Sequence, residues 1–539
     1  MRSGARALVE SLEKAGVEVL FGYPGGNVVD IFDCVRTARF RFVLGRHEQG
    51  CVHMADGYAR ALGRPGVVLV TSGPGLTNSI TGLGAANMDG VPLVLVCGQV
   101  PLDDMGTDAF QEADTTGLTR AVSKHNFLVK SADEIPETIA QAFYIATHGK
   151  PGVVVIDVPR DCQCAQTAAR YPARVSLRAY HPERFASSSQ VNRLAKLLNA
   201  ANRPVIYAGG GVIAAEASGD VTALAHKAGI PVATTMMGIG AIDSEDPLAL
   251  GMAGVHGEPA ARRALSAADL ILALGVRFND RTADALPRRQ WRKIVHVDCD
   301  ASAIGRNVQA GFGIVADVKD LLATVDSRIR PATRDAWTAC CRPTAEELAD
   351  AEKAASARDG YVAPKAVVDA VCRAAGESLV ATTDVGQHQL WTARYLRHVR
   401  PRSFISSGGM GAMGFGIPAA IGAAIARPDM KVVAFVGDGG AQMTGEELAV
   451  AAELRLPVTF VLFANGTLGL VRQMQDDDFG ARHFATDLNS PDFVKLAAAY
   501  GVKGVRVTDA TRLDAVIARA VRAKAPVLVE VRTDPEARA

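Results

Sequence analysis

The sequence has almost no excess of charge of either sign. Its 539 residues carry 58 Lys and Arg against 57 Asp and Glu, a net charge of +1. Because nucleic-acid-binding domains carry a basic patch or stripe, we expect no nucleic-acid partner. The most apolar stretch, 410–426, is rich in glycine, contains Pro418 and is shorter than the roughly 20 residues of a membrane helix. We therefore expect no membrane anchor.

Cysteine is scarce. Nine cysteines in so long a chain, an odd number, do not indicate a disulfide framework. The pair Cys162-Gln-Cys164 lacks a second pair at metal-ligand spacing, so a zinc site is not expected. The first 22 residues read as an amphipathic helix that runs into a strand, without the apolar core of a signal peptide. These features predict a cytoplasmic protein.

Short β-branched runs alternate with Ala-rich helical sequence along the whole chain. Runs such as 67–70, 153–158, 270–274, 432–436 and 458–463 are uniformly apolar. That pattern is typical of parallel strands buried on both faces, so the fold class is α/β. Two stretches interrupt it, 162–189 and 330–360, and we interpret both as linkers. The sequence thus predicts three doubly wound parallel-sheet domains, 1–163, 190–330 and 361–535.

Glycine-rich turns follow several of the predicted strands. They are Thr71-Ser-Gly-Pro-Gly75, Gly209-Gly-Gly211, Gly275-Val276, Asp384-Val-Gly386 and Gly437-Asp-Gly-Gly440. Open parallel sheets bind ligands at the carboxyl ends of their strands. One such turn is often only a tight turn, but five of them indicate a nucleotide-like or diphosphate cofactor, or more than one.

Asp438 and Asn465 each follow a predicted buried strand, 27 residues apart. This spacing allows a loop, a helix and a strand between them, so both side chains would reach one edge of the sheet. Hard oxygen ligands of this kind suit Mg²⁺ that shares its coordination with phosphate, and glycine-loop amides can hold the phosphate. The alternative is that both residues only form turns. Thr444-Gly-Glu-Glu447 predicts a capping box for the next helix.

The segment from Gly437-Asp-Gly439 to Asn465 resembles the cofactor motif of thiamine diphosphate (ThDP) enzymes. Arg46-His-Glu-Gln-Gly50 and Tyr23-Pro-Gly-Gly26 resemble the family's glutamate segment and cofactor-facing turn. Asp384-Val-Gly-Gln-His-Gln389 and the glycine-rich run from Ser407 to Pro418 resemble two further coenzyme segments. The likeness is strongest to acetolactate synthases and covers nearly the whole chain. It implies that Asp438, Asn465 and the Thr467 backbone hold Mg²⁺.

The resemblance gives Glu48 a chemical role. A carboxylate on N1′ of the aminopyrimidine favours the imino tautomer, whose 4′-nitrogen can take the proton from thiazolium C2. The alternative is an ordinary exposed charge. The ThDP-binding residues implied by the resemblance are Tyr23, Pro24, Gly25, Glu48, Gly386, Gln387, His388, Gly411, Met413, Gly437, Asp438, Gly439, Gly440, Asn465 and Gly469.

Three further residues receive catalytic roles from the resemblance. Met413 would lie under the bent coenzyme, and Phe110 and Gln111, in Gly106-Thr-Asp-Ala-Phe-Gln-Glu112, would face the substrate. Core packing is the alternative for Met413 and Phe110.

The middle domain resembles the FAD-binding part of acetolactate synthases, in which the flavin is structural. The implied FAD residues are Gly209, Gly210, Gly211, Thr234, Met236, His256, Gly275, Arg277, Asp298 and Asp317. The alternative is a vestigial domain that keeps these glycines for packing and binds nothing.

The chain departs from the family pattern at several points. Met474 stands where biosynthetic relatives usually have a tryptophan that favours 2-oxobutyrate as acceptor, which leaves the acceptor open. Leu102-Asp-Asp104 replaces a commonly basic run, and Arg160 replaces a lysine. The sequence also stops soon after its last strand, whereas the family continues with a tail that folds over the active site.

Taken together, these features predict a carboligase that decarboxylates pyruvate and joins the product to a second 2-oxo acid. The alternatives are a ThDP decarboxylase or carboligase for another 2-oxo acid, and a binding or regulatory protein that keeps the fold without catalysis. A plain dinucleotide-dependent dehydrogenase is disfavoured, because its glycine fingerprint is not found in the proper context. The family arrangement implies a homodimer or homotetramer, and a small regulatory subunit stays possible.

Overall fold

The computed structural model contains three parallel α/β sheets, which follow one another along the chain. It describes residues 1–284, 286–354, 358–397 and 399–539. In these residues each sheet has six strands, all parallel. The sheet strands lie within 19–159, 204–315 and 379–532, inside the predicted domains 1–163, 190–330 and 361–535, whose exact boundaries stay predictions. No helix in these residues is long and apolar enough to cross a membrane.

The first sheet is covered by helices on both faces. Its strands, in spatial order, are Arg41–Leu44, Val19–Gly22, Gly66–Val70, Leu93–Gln99, Val153–Pro159 and His125–Leu128. Its helices are Gly4–Lys14, Val29–Val35, Glu48–Leu62, Pro74–Asp89, Thr115–Thr119, Ile135–Thr147 and Arg160–Cys164, with 3₁₀ turns at Gly26–Val28, Leu102–Asp104 and Ala132–Glu134. Strands Arg2–Ser3 and Gln166–Thr167 pair separately and are antiparallel.

The middle sheet has a different strand order. Its strands, in spatial order, are Ala249–Met252, Val232–Thr234, Pro204–Ala208, Leu270–Leu274, Ile294–Asp298 and Phe312–Val315. Its helices are Ser188–Ala200, Gly210–Ala214, Ser218–Ala228, Pro259–Ala267, Asp280–Ala283 and Val318–Asp326, with 3₁₀ turns at Met236–Gly238 and Arg288–Lys293. Numbered along the chain, the order is 3-2-1-4-5-6, the order of doubly wound dinucleotide-binding folds.

The third sheet repeats the order of the first. Its strands, in spatial order, are Phe404–Ser406, Leu379–Thr383, Lys431–Gly437, Val458–Ala464, Val527–Arg532 and Lys503–Val507. Its helices are Pro364–Ala375, Gln387–Tyr395, Gly416–Ala426, Asp438–Met443, Leu448–Glu453, Gly469–Phe479, Phe493–Ala499 and Leu513–Val521, with 3₁₀ turns at Gly376–Ser378, Gly445–Glu447 and Ala510–Arg512. The first and third sheets both have the order 2-1-3-4-6-5 along their own strands.

The two predicted linkers contain regular structure. In 162–189, the end of helix Arg160–Cys164 is followed by the short strand Gln166–Thr167 and then by irregular chain. The described part of 330–360 contains two helices, Asp335–Cys341 and Ala345–Ala354. The described residues of 355–360 are 358–360, and residues 355–357 lie outside the described part of the chain.

The first and third domains share one apolar core. A single cluster of buried side chains includes Phe21 and Met54 from the first domain and Phe415 and Phe460 from the third. Helices Glu48–Leu62 and Gly416–Ala426 meet at the centre of this cluster, where Gly422 allows the two backbones to touch. The helix that begins at Glu48 is therefore fixed by contact with the third domain.

Candidate active site

The candidate cofactor residues lie at the points where strand order reverses. In the first sheet this point lies between strands Val19–Gly22 and Gly66–Val70, and in the third between Leu379–Thr383 and Lys431–Gly437. Ligands of open α/β sheets bind in the crevice at such a point, at the carboxyl ends of the strands. Tyr23–Gly26 and Thr71–Gly75 follow the first pair of strands, and Asp384–His388 and Asp438–Gly440 follow the second.

Glu48 lies in the crevice of the first domain. It is the first residue of helix Glu48–Leu62 and is 9% exposed. Its Oε2 accepts a hydrogen bond from Asn78 Nδ2 at 3.0 Å, and a Cβ placed on Gly75 would stand 3.6 Å from its Oε1. Tyr23 is 38% exposed at the same edge of the sheet. The carboxylate is thus held at one oxygen and buried beside the glycine turn.

The loop that carries Gln111 reaches this half of the site. Gln111 adopts a left-handed backbone conformation, with φ of 62°, which non-glycine residues seldom adopt. A Cβ on Gly73 would lie 2.9 Å from the Gln111 carbonyl oxygen, so this close contact requires glycine. Phe110, by contrast, is 88% exposed at the tip of the loop. The structure thus places Gln111 beside the turn and Phe110 outside the core.

Asp438 and Asn465 lie together in the crevice of the third domain. Asp438 begins the short helix Asp438–Met443, and its Oδ2 accepts a hydrogen bond from the backbone N–H of Gly466 at 2.6 Å. Asn465 Oδ1 accepts one from the N–H of Thr467 at 3.1 Å. Burial raises the pKa of Asp438 to about 6. A cation at Asp438 would offset that burial and favour the carboxylate form.

Helix Gln387–Tyr395 begins at the same edge. Gly386 precedes it with φ of 149°, and a Cβ on Gly437 would lie 2.8 Å from the His388 ring. Gln387 Oε1 would lie 2.1 Å from a Cβ on Gly469, which also borders Asn465. Among the described residues, Gln387 Oε1, His388 Nε2 and Thr467 Oγ1 are buried without a hydrogen-bond partner. Burial lowers the pKa of His388 to about 3, so its ring is neutral.

The glycine-rich run after Ser407 crosses this crevice. A Cβ on Gly439 would stand 3.1 Å from the Met413 methyl group, and Gly411 has φ of 64°. Asp384 accepts hydrogen bonds from the N–H groups of Gly414 at 3.0 Å and Gly416 at 2.8 Å. Burial raises the pKa of Asp384, and these donors partly offset the shift. Asp384 thus anchors the end of the run that carries Met413.

The predicted capping box at Thr444 and Glu447 is wrong. Thr444 forms no side-chain cap, and its hydroxyl donates to the carbonyl of Gly414 at 2.8 Å. The Glu447 carboxylate accepts hydrogen bonds from the N–H groups of Arg46 and His47, both at 3.0 Å. The Glu447 contact joins the third domain to the first, whereas the Thr444 contact stays within the third domain. Burial raises the pKa of Glu447 to about 7. Glu447 thereby supports the turn that leads into Glu48.

Glu48 lies in the first domain, and Asp438 and Asn465 lie in the third. Among the described residues, no hydrogen bond connects Glu48 with Asp438 or Asn465. We call the residues around Glu48 the candidate pyrimidine half-site and those around Asp438 the candidate diphosphate half-site.

A cavity of about 1170 Å³ opens at the switch point of the middle sheet. A Cβ on Gly209 would meet the Gly275 carbonyl oxygen at 2.1 Å, and one on Gly211 would meet Gly275 Cα at 2.6 Å. Glycine is required because the two loops cross backbone to backbone. Ligand pockets usually measure roughly 300–1,000 Å³, so the cavity has room for a molecule larger than a typical drug.

Most of the predicted flavin residues line this cavity, and two do not. Gly210, Gly211, Met236, His256, Gly275, Arg277, Asp298 and Asp317 are in its wall. Gly209 supports the loop crossing, and Thr234 is buried in its strand, 5% exposed. The sequence analysis missed Thr235, Asp300 and Arg306, which also line the cavity. Thr235 adjoins the predicted Thr234, so the sequence pattern identified the correct strand end but selected the neighbouring residue.

The residues that depart from the family pattern can be located in the structure. Met474 lines the large cavity and is 39% exposed. Arg160 forms an ion pair with Asp30 at 3.3 Å, and Leu102–Asp104 is a 3₁₀ turn. Residues after the last strand lie against the third domain, where Gln387 Nε2 donates to the Ala537 carbonyl at 2.7 Å.

Comparison with known families matches all three domains. The N-terminal TPP binding domain of thiamine pyrophosphate enzymes matches residues 2–118, the central domain 191–325 and the C-terminal TPP binding domain 384–531. A Mycobacterium bovis protein named acetolactate synthase is 44% identical over 94% of this chain and 83% of its own length. The chain belongs to the acetolactate synthase family of thiamine pyrophosphate enzymes.

Two further relatives carry the same name. The Haemophilus influenzae acetolactate synthase large subunit is 41% identical over 99% of this chain and 94% of its own length. The Escherichia coli acetolactate synthase isozyme 3 large subunit is 40% identical over 99% of this chain and 95% of its own length. The predicted family and three-domain fold are confirmed, and ThDP is the coenzyme class of the family.

Proposed function

We propose that this chain is the catalytic subunit of an acetolactate synthase. It would decarboxylate pyruvate and join the two-carbon product to a second 2-oxo acid. The observation that carries the proposal is the pair of half-sites at equivalent switch points of two domains with the same strand order. One presents a buried carboxylate, Glu48, and the other a carboxylate and an amide, Asp438 and Asn465.

Bound ThDP would supply a thiazolium ring that stabilises negative charge on the carbon next to it. Glu48 would hold a proton against N1′ of the aminopyrimidine. Asn78 fixes its Oε2, which leaves Oε1 on the side of the glycine turn. Replacing Glu48 by Gln keeps the shape of the side chain but removes the titratable group, so we expect most turnover to be lost while folding stays intact.

Mg²⁺ fits the third-domain half-site. Asp438, Asn465 and the Thr467 backbone carbonyl would be its protein ligands, and phosphate oxygens would complete the coordination sphere. Within the described residues, no group of three or more His, Cys, Asp or Glu side chains is placed to hold a metal ion. A single carboxylate is compatible with Mg²⁺ because this ion commonly shares its coordination with substrate phosphates. The unpartnered polar atoms of Gln387 and His388 would face the diphosphate.

FAD fits the middle domain. The strand order 3-2-1-4-5-6, the glycine crossing and the cavity of about 1170 Å³ are all features of a dinucleotide site. Gly210, Gly211 and Arg277 would contact the flavin nucleotide. Gentle purification should yield a protein with flavin absorbance bands. A colourless protein that does not bind added FAD would favour a vestigial domain.

The complete site would form between two chains. Glu48 of one protomer would face Asp438 and Asn465 of its partner, which predicts a homodimer or homotetramer with sites in pairs. Two inactive variants, Glu48→Gln and Asp438→Asn, test this arrangement when they are mixed and allowed to exchange subunits. Each mixed dimer would contain one site with both substitutions and one unaltered site.

Random exchange should therefore restore about a quarter of the wild-type activity, since half of the dimers are mixed. Each variant treated alone is the control and should stay inactive. If the site is built within one chain, every site of the mixed dimer carries a substitution and no activity returns.

A product assay tests the reaction itself. Pyruvate is supplied with ThDP and Mg²⁺, and acetolactate is measured against acetaldehyde and CO₂. Acetolactate as the main product supports the proposal. A product that lacks the new carbon–carbon bond would instead identify a decarboxylase, and no turnover of pyruvate would direct the search to another 2-oxo acid.

The names of the relatives suggest one protein partner. The Haemophilus influenzae and Escherichia coli proteins are named large subunits, so we propose that a small regulatory subunit joins this chain. Co-purification with a tagged chain in its own cell extract tests that proposal. We also propose that the enzyme is cytoplasmic, which cell fractionation tests.

A further inference from the structure

One buried carboxylate connects all three domains. Asp89 ends helix Pro74–Asp89, and its side chain is 0% exposed. Arg60 of the same domain donates to its Oδ2 at 3.0 Å. From the third domain, the N–H groups of Gly408 and Gly409 donate to it at 3.0 and 2.8 Å. Arg277 of the middle domain lies 3.4 Å from its Oδ1.

The contact with the third domain leaves no room for side chains. A Cβ on Gly409 would stand 2.7 Å from Asp89 Oδ1, and one on Gly408 would stand 2.2 Å from Met237 Sδ of the middle domain. The backbone of this segment thus lies directly on the first and middle domains. Asp89 accepts hydrogen bonds from both glycine N–H groups at this junction.

Asp89 secures one end of the segment 407–414, and Asp384 secures the other. Asp384 accepts hydrogen bonds from Gly414 and Gly416, and the Arg60 guanidinium lies 5.6 Å from the centre of the Phe415 ring. Met413 lies between these two attachments and packs against Gly439 of the diphosphate half-site. A shift at Gly408 and Gly409 would therefore move Met413.

Arg277 also lies in the wall of the large cavity. Its side chain is 37% exposed, and it donates a hydrogen bond to the carbonyl of Met88, next to Asp89. Gly408, Gly409 and Gly411 line the same cavity. A ligand that binds to Arg277 would therefore change the contact of Arg277 with Asp89, the residue that holds segment 407–414.

We propose that Asp89 is a positioning residue that fixes segment 407–414 under the coenzyme, and that Arg277 transmits occupancy of the middle-domain cavity to it. The proposal rests on the proposed ThDP and FAD sites for its consequences. Its structural core is the junction of Asp89 with Gly408 and Gly409, which exists without either ligand.

The substitution Asp89→Asn removes the charge and leaves one carbonyl oxygen where two oxygens now serve donors from three domains. The new amide N–H₂ would face the N–H donors that the carboxylate now accepts, and buried donors left without an acceptor are destabilising. We expect faster amide exchange of a peptide that covers 403–415, measured by mass spectrometry on the ligand-free protein. We also expect ThDP binding with Mg²⁺ to weaken about tenfold or more, measured through the fluorescence of Trp391 in the adjoining helix.

Asp359→Asn, at an exposed carboxylate in the stretch 330–360 before the third domain, is the matched control and should change neither quantity. A second variant, Gly409→Ala, disturbs the same junction but leaves the Asp89–Arg60 pair intact, so the test does not depend on Asp89→Asn folding. If a folded Asp89→Asn or Gly409→Ala protein keeps wild-type exchange of this peptide and wild-type ThDP affinity, Asp89 has no positioning role. A lower melting temperature with both quantities unchanged would make Asp89 merely structural and also refute the proposal.

The role of Arg277 is tested with FAD as the probe. In the wild type, FAD should slow exchange of the peptide 403–415 and strengthen ThDP binding about fivefold or more. In Arg277→Met, any remaining FAD binding should have neither effect. If FAD binds to the wild type and changes neither quantity, the transmission through Arg277 is wrong. If FAD does not bind to the wild type, both the flavin site and this transmission are wrong, whereas the ligand-free exchange still decides the role of Asp89.

Discussion

The contact between helices Glu48–Leu62 and Gly416–Ala426 gives a sharp prediction for Gly422. A Cβ at this position would stand 1.8 Å from the Met54 carbonyl oxygen and 2.9 Å from the backbone N of Tyr58. The obstructing atoms belong to a helix backbone, so no side-chain rotation can relieve the clash. Ordinary contact begins at 3.4 Å, and the two helices must therefore separate by about 1.6 Å.

We expect Gly422→Ala to destabilise the protein. Overpacking of a core costs about 1–3 kcal/mol when side chains and backbone can shift. Here the backbone itself obstructs, so the upper end of that range applies. The higher helix propensity of alanine returns at most about 1 kcal/mol. The net loss should be about 2 kcal/mol in the free energy of unfolding, measured by urea titration followed by circular dichroism.

Gly219→Ala is the matched control, because Gly219 lies in helix Ser218–Ala228 with nothing within 4 Å of its Cβ position. That variant should keep or slightly raise the stability. Because helix Glu48–Leu62 carries Glu48, Gly422→Ala should also lower turnover. Equal stability of Gly422→Ala and Gly219→Ala would refute the inferred close packing of the two domains.

Three further predictions follow from the site. Burial raises the pKa of Glu447 to about 7, so the native state keeps this proton to higher pH than the unfolded chain. The stability of the protein should therefore fall as the pH rises from about 4.5 to 7. Glu447→Gln should remove up to about 3 kcal/mol of that pH dependence in urea titrations between pH 5 and 8. Asp384→Asn should weaken ThDP binding by about tenfold in fluorescence titrations, because its carboxylate accepts the N–H groups of Gly414 and Gly416. Met474→Trp should raise the preference for 2-oxobutyrate over pyruvate as acceptor in a competition assay, and an unchanged product ratio would show that Met474 does not contact the acceptor.

The sequence predicts most interior strands of the three sheets but none of the edge strands, and it misses the short interior strand Val232–Thr234. Runs such as 67–70, 270–274 and 458–463 are buried on both faces, so they are uniformly apolar and easily identified. In the described residues, all six edge strands were missed, among them Arg41–Leu44 and Lys503–Val507. Their burial is mixed, because one side of each faces solvent or a helix end. Short half-exposed strands do not differ in composition from loops.

Side chains that bond to residues far away in sequence were equally hard to predict. Thr444 and Glu447 match a local capping pattern, yet both bond to residues that are distant in sequence. Asp89 is the last residue of a helix, an ordinary position for a polar side chain, and its four donors come from three domains. Local patterns cannot reveal such roles, because the partners are brought together only by tertiary packing within and between the domains.

The strand orders explain why the sequence places the candidate cofactor residues at the ends of particular strands although it does not reveal these contacts. A crevice forms wherever neighbouring strands send their connections to opposite faces of a sheet, so its position depends on topology rather than on any single side chain. The first and third domains share one order and place their crevices after the first and third strands of each sheet. Glycine and carboxylate residues at those strand ends therefore mark the crevices directly in the sequence. The middle sheet has the dinucleotide order instead, which moves its crevice to the ends of the first and fourth strands, where Gly209–Gly211 and Gly275 meet. Glu48 stands at the crevice of the first domain and Asp438 at the matching crevice of the third, which is the basis of the proposal that a shared site pairs the first domain of one chain with the third domain of another.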